Sequence, residues 1–515
     1  MSVSPQILSS EKTPTELLIL SPSPAKTPNA APQSRKRRIT PSAEATSPKK
    51  PVFLSSAGFV RRQHVLPLSS SPFLASFNRL FPSGSATIDR RTLLKPVHGH
   101  PEPTVFGNDY RTTHPQHVIL PFNLHEDRGS FSKHENRDLL YQLFPGTKGI
   151  NFDDYFLIFW VEELPSKPWP LTVAGLPCYI TTDRDDDGPL PSIERPAKSN
   201  IRLFQDLDYR NLEGYPEKVF RLIQDFFLEG SISITEIQYW NSFVIIVLEH
   251  RDADLTCVPH TVAHCPCYYL YEDEIGRPAS FPARHTKQPM KDVVDDGEYH
   301  TLRPGVMLSS GSPSPEDIEL LTTSGALILD QLGYKYMTVT SHGFPFGDKV
   351  FHPVAGGREI GTVIREIPHT DVGIVQLNDG IEFQNESFEN SVLGTPNMKN
   401  FVKSDEIHIS ASVFMDNPFT GFIEGTRGPH TTSRNPSSDP HDPWIRTRWD
   451  YLGQGFSNCT VESVRGSAIF DEEGRVTGFC RYAYAEGSFK DWCLTVAADH
   501  LIENEYSIVQ GPESH

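Results

Sequence analysis

His342 closes the run Tyr336-Met-Thr-Val-Thr-Ser-His342, Asp371 opens the apolar run that ends at Leu377, and Ser467 follows Gly466 just ahead of Ala468-Ile-Phe470. An imidazole, a carboxylate and a hydroxyl in that order are the parts of acyl transfer. The hydroxyl attacks, the imidazole takes its proton, the carboxylate fixes the imidazole tautomer, and two backbone N–H groups receive the oxyanion. A second grouping, Cys257-x2-His260-x3-His264-Cys265-x-Cys267, brings thiols and imidazoles close enough in sequence to suggest a tetrahedral zinc. It lacks the paired Cys-x2-Cys spacing, and Pro266 forces a turn between ligands. Structural cysteines flanking a strand are the simpler account, and no metal or other cofactor is expected.

The segment Tyr336 to Phe344 is similar to the strand-then-histidine segment of trypsin-like, chymotrypsin-fold serine peptidases, in which an apolar strand ends in small residues and the general base. A decoy of the same look, Thr261-Val-Ala-His-Cys265, lies upstream. His342 is favoured because Val350 to Arg365 leads into Thr370-Asp371-Val-Gly-Ile-Val-Gln-Leu377, which resembles the segment where the orienting aspartate opens a buried strand. Gly466 to Phe479 resembles the nucleophile loop, strand, hairpin and returning strand of that family, with Glu473-Gly474 as the turn. Cys493 to Leu501 resembles its final strand and helix. The resemblance covers residues 296–510 and implies an all-β double barrel.

The resemblance also places a defect. The family pattern reads Gly-x-nucleophile-Gly-Gly/Ser before a small residue and an apolar strand, so anchoring on Gly466-Ser467-Ala468 puts Arg465 in the nucleophile slot and Ser463 where the oxyanion loop has glycine. Val464 offers no carboxylate. A guanidinium carries only donors and stays protonated, so it cannot attack a carbonyl. Ser467 is the alternative nucleophile, but it stands two residues along, beyond the oxyanion turn, and would need Arg465 where a glycine belongs. The expectation is a degenerate, fungal-type intracellular member that is a pseudoprotease, with a divergent endopeptidase using His342, Asp371 and Ser467 as the alternative.

The elements that position these residues read coarsely. Residues 1–100 are rich in Ser, Pro and Thr without an apolar period, and are expected to be a disordered basic tail. Residues 105–285 read as an α+β domain: Phe152 to Leu164 and Leu171 to Thr182 as strands, Pro216 to Leu228 as a helix, Ser242 to Glu249 as a buried strand. Within it, Pro168 to Asp183 resembles a domain of fungal proteins to which no chemistry attaches. A linker and opening strand fill 286–316. Beyond them short β-rich runs alternate with Gly and Pro turns, until Ala497 to Glu505 takes helical spacing. The polar stretch Gly428 to Asp442 is assigned to loops around the pocket.

Composition bounds the rest. Hydrophobic residues make up 37% of 515, and the apolar runs Tyr155 to Val161 and Phe243 to Leu248 fall short of the roughly 20 residues of a membrane helix, so no span is expected. Seven cysteines, an odd and sparse number, and an N-terminus without a secretory pattern point to an intracellular protein. Residues 1–65 hold ten Lys/Arg against three Glu, a local +7, so with −18 for the whole chain the remainder carries −25. That acidic body argues against nucleic-acid binding outside the tail. In the tail, Arg35-Lys36-Arg37-Arg38 and Lys49-Lys50 resemble a bipartite nuclear-import signal among Ser-Pro and Thr-Pro kinase sites, which makes the import machinery one expected partner. Any polypeptide partner or substrate of the barrels is left open.

Overall fold

The structure is a computed structural model. It describes residues 116–510 except 153–154, 166–168, 187, 191–194, 209–215, 278–292, 312–319, 346, 391–392, 435–442, 456–463, 484–486 and 488. The tail of 1–100, its basic cluster at Arg35–Arg38 and Ser463 lie outside the described residues.

The first apolar run folds as an antiparallel pair, Thr147–Phe152 with Leu157–Val161. The second strand is almost wholly buried because both of its faces are apolar. It lies in a five-stranded sheet, in the order Gln116–Val118, Pro170–Val173, Leu176–Thr181, Leu157–Val161, Thr147–Phe152. The single strand read over Leu171 to Thr182 is therefore a hairpin. Ala174 and Gly175 both take positive φ, 50° and 83°, the two-residue turn whose twist matches antiparallel strands. An alanine in that position carries no turn signal, which is why the run looked continuous. The helix His134–Tyr141 adds Leu140 to this sheet's core.

The helix Glu217–Glu229 forms where helical spacing predicts it, with Val219, Phe220, Ile223 and Phe227 on one buried stripe. It packs against Ile234–Tyr239, Val244–Leu248 and Cys265–Tyr271. These strands do not end a sheet of their own. Ile234–Tyr239 pairs antiparallel with the end of Ile423–Ser433, from Glu236↔Ser433 to Tyr239↔His430, so one twelve-stranded sheet runs through both regions. Residues 428–433, assigned to a pocket loop from their polarity, are thus a strand buried between two partners. Residues 435–442 are outside the described residues.

Six strands of that sheet close on themselves. Ser412–Met415, Ala468–Phe470, Arg475–Ala483, Trp492–Ala497, Ile445–Tyr451 and Ile423–Ser433 pair in sequence, and the last returns to the first. A second sheet curls into a half-barrel: Leu321–Thr323, Met307–Ser309, Lys349–His352, Arg358–Ile367, Val372–Leu377, Lys335–Thr340, Leu327–Leu329, Ser507–Ile508. The segment 321–329 supplies strands to both sides of it. Ser324 N–H bonds Val306 O and Gly325 N–H bonds Thr338 O across the gap between them. Their cores meet in one cluster that includes Ile328, Val372 and Ile374 from the half-barrel and Phe414, Phe470 and Phe479 from the closed barrel. The closing helix is Asp499–Glu503, within the span expected for it.

Candidate active site

Lys335–Thr340 is hydrogen-bonded on both sides, to Leu327–Leu329 and Val372–Leu377, so its end is held rigidly. One 3-10 turn, Ser341–Gly343, then lifts His342 off the sheet. Asp371 sits opposite at the start of the neighbouring strand, with φ of 65°, a conformation uncommon outside glycine that aims its side chain back across Thr340. Its Oδ2 lies 2.5 Å from His342 Nδ1 and accepts from Thr340 Oγ1 at 2.9 Å, while Oδ1 accepts the His342 backbone N–H at 2.9 Å. Burial pushes the Asp371 carboxyl up, but the His342 bonds and the nearby Arg481 charge outweigh it and hold the group below its ordinary value.

The loop before Ala468–Phe470 comes from the other barrel. Gly466 has φ of 89°, and a Cβ there would lie 2.9 Å from both Thr323 O and Thr340 N, so the close approach of the two barrels requires glycine. Arg465 O accepts from Thr322 Oγ1 at 2.8 Å, and Gly466 N–H and Cys480 N–H tie the loop to its own hairpin. With the backbone pinned this way the Arg465 side chain enters the site. Its Nη1 is 3.0 Å from His342 Nε2, and Cζ lies 5.4 Å from the centre of the Tyr482 ring. Because a guanidinium only donates, Nε2 is the acceptor. The ring is then neutral, with its proton on Nδ1 and given to Asp371.

Ser467 is turned the other way. It is fully buried, and its hydroxyl donates to Val464 O at 2.5 Å. The structure therefore brings His342, Asp371 and Arg465 together and leaves Ser467 on the back of its own loop. Three further residues at the site carried no signal in the sequence reading. Thr340 shares Asp371 Oδ2. Arg481 and Tyr482 follow Cys480 on Arg475–Ala483, with the Arg481 Cζ 5.2 Å from the Tyr482 ring centre. The reading of the returning strand stopped at Phe479. A bulge between Cys480 and Tyr482 breaks the alternation that would have shown which later residues face inward.

The Cys/His grouping does not converge. Thr261–Val262 and Cys265–Tyr271 form a hairpin whose turn residues Ala263 and His264 both have positive φ, and His264 Nε2 lies 2.8 Å from Gln205 O. Cys265 and Cys267 are buried on one strand, while Cys257 is exposed beside Asp254. Among the described residues no three His, Cys, Asp or Glu side chains are placed to hold a metal ion, and no helix is long and apolar enough to cross a membrane.

No family model matches the chain, and no curated protein matches it by sequence. Solved structures do. A glutamic acid-specific serine protease that uses a histidine triad in substrate binding is 13% identical, with 40% of this chain and 100% of that one covered and a TM-score of 0.31. The Nocardiopsis protease NAPase is 13% identical over 40% of this chain and 98% of that one, TM-score 0.31. Thermobifida fusca protease A is 13% identical over 41% and 100%, TM-score 0.31. These likenesses concern the fold. The closed barrel and the half-barrel, with the His342–Asp371 pair between them, give the C-terminal part of this chain a trypsin-like double-barrel fold.

Proposed function

We propose that the chain is a non-catalytic trypsin-fold protein, a pseudoprotease, that acts by binding a polypeptide partner inside the cell. The observation that carries this reading is the 3.0 Å contact of Arg465 Nη1 with His342 Nε2. The lone pair that a general base would offer to a nucleophile is taken by a group that cannot attack. A base must be within about 2.6–3.2 Å of the proton it removes, and the alternative nucleophile, Ser467, spends its hydroxyl on Val464 O. The intact His342–Asp371–Thr340 bonds retain a structural role, since buried polar groups need partners whether or not chemistry occurs.

Reaction of the full-length protein with a fluorophosphonate probe tests the proposal. The expected result is no labelling above a His342→Ala control. Labelling that survives Arg465→Ala and disappears in Ser467→Ala would overturn it in favour of a divergent serine endopeptidase.

A further inference from the structure

We propose that the middle region, residues 116–277, is the resident partner of the closed barrel. It fills in cis a docking face on that barrel, and neither part keeps its fold without the other. The inference goes beyond the pseudoprotease reading, because it gives a role to the region to which the sequence attaches no chemistry.

The face is made of large side chains that a soluble barrel would not leave in water. Trp449, Tyr451, Tyr482, Phe489, Trp492 and Leu494 come from the barrel side, and none is more than 7% exposed. Residues of the middle region, among them Phe156, Trp240, Leu270 and Ile275, complete the same cluster. Phe156 meets Tyr451 and Trp492 edge to face with ring centres 5.2 and 5.9 Å apart, and Trp240 meets Trp492 at 5.7 Å. Rings of this kind bury about 150–250 Å² each, so the five on the barrel side come to as much as about 1,000 Å². The largest apolar patch of a soluble monomer is about 300–600 Å². The barrel face is therefore built to be covered.

Backbone and polar contacts seat the cover in one register. Ile234–Tyr239 supplies the second hydrogen-bonded neighbour of residues 430–433, which without it would be an unpaired edge open to other chains. The Gln454 amide takes both backbone groups of Ile180, accepting its N–H at 2.8 Å and donating to its carbonyl at 2.6 Å. Trp492 donates its indole N–H to Pro189 O at 2.9 Å, and Arg434 reaches Ile234 O at 2.8 Å and Glu249 Oε2 at 3.0 Å. Such directional bonds select this region over any other apolar surface. The cover also reaches the site. Tyr482, whose ring centre is 5.4 Å from Arg465 Cζ, shares the cluster with Leu270 and Ile275. A Cβ on Gly487, between Arg475–Ala483 and Trp492–Ala497, would lie 3.0 Å from Ile275 O, so the helix Glu272–Ile275 sits against that connection. The strand that carries Arg481 and Tyr482 is thus packed against the middle region.

Native-state hydrogen exchange of the full-length protein, followed by mass spectrometry at several urea concentrations, tests this. One opening should expose Ile234–Tyr239 and Val244–Leu248 of the middle region together with Ile445–Tyr451, Arg475–Ala483 and Trp492–Ala497 of the barrel, all with the same urea dependence. Phe156→Leu keeps an apolar side chain but loses the ring contacts to Tyr451 and Trp492. In that variant protection should fall by the same factor in both sets of strands, on the order of tenfold. Should the variant fail to fold, the exchange of the parent is sufficient by itself. Separate openings of the two sets in either order, or a loss in Phe156→Leu confined to the middle strands, would overturn the proposal. Fluorophosphonate labelling bears on the pseudoprotease reading whatever these openings show, so the two fail independently.

Discussion

Trp449 donates its indole N–H to Glu236 across 2.6 Å, joining a strand of the closed barrel to the strand that extends it from the middle region. Glu236 has no exposed surface, and it also accepts from Gln238 at 2.7 Å and pairs with Arg277, whose side chain is 8% exposed. Burial pushes its carboxyl up, while Arg277, Trp449 and Gln238 pull it back. Removing one partner of a buried ion pair costs about 3–5 kcal/mol where it strands the other, and Arg277 keeps Glu272 at 3.4 Å, which puts the loss at the lower end of that range. Glu236→Ala is therefore expected to lower the stability of the full chain by about that amount, and Glu236→Gln by less because it keeps an acceptor for Trp449. Thermal or urea unfolding measures both. A loss under about 1 kcal/mol for Glu236→Ala would show that the junction does not depend on this carboxylate.

Acid should weaken the half-barrel through His352. Its Nδ1 lies 2.7 Å from Met307 O, and its Nε2 accepts the Tyr299 N–H at 2.8 Å, so the folded state holds the ring neutral. Burial pushes it down to about 4. The folded value lies below the ordinary one of about 6.5, so the unfolded chain binds the proton first. The stability from the neutral ring is full above about pH 6.5 and is lost as pH falls from there towards 4. The loss between pH 7 and pH 5 comes to about 2 kcal/mol from this group. His430, pushed to about 3 by burial and by Arg427 and Arg448, adds in the same direction. His352→Gln should flatten the fall in stability between pH 7 and 5. A variant as acid-sensitive as its parent would refute the assignment.

How much of this was legible in the sequence follows from which interactions are local. The strand before His342, the strand after Asp371 and the hairpin around Gly474 each carry their own apolar pattern and turn chemistry, and the structure has them where they were read. The pairing of Ile234–Tyr239 with residues 430–433 was not legible, because it joins segments nearly 200 residues apart and its second strand is polar. Polarity suggested a loop. Arg427, Thr431, Thr432 and Ser433 are buried nonetheless, their terminal guanidinium nitrogens and hydroxyls bonded to backbone or to neighbouring side chains. Arg481 and Tyr482 were missed for a related reason, since a bulge resets which side chains of Arg475–Ala483 face the site.

The split in charge carries a separate prediction, from residues that lie outside the described ones. A fluorescent fusion with Arg35, Lys36, Arg37 and Arg38 changed to alanine should redistribute towards the cytoplasm relative to the parent. An unchanged distribution would leave the basic tail without an import role.

Under the proposed pseudoprotease reading, repairing the site tests whether Arg465 alone blocks the chemistry. Arg465→Ser would put a hydroxyl in the slot, free His342 Nε2 of its guanidinium, and leave the His342–Asp371 pair as it stands. Attack also needs the oxyanion, whose loop in this fold uses a glycine where this chain has Ser463. One oxyanion donor is worth on the order of 10²–10³ in turnover, and nucleophile and base act as a unit, so partial repair recovers little. The single variant Arg465→Ser should therefore stay near background in an activated-ester assay, while Ser463→Gly with Arg465→Ser should hydrolyse the ester and label with a fluorophosphonate. Adding His342→Ala to the double variant should abolish both signals, which separates base catalysis from adventitious reactivity of the new serine. A double variant that folds like its parent and still fails to label would mean that the loop, as well as the nucleophile, has departed from a competent geometry.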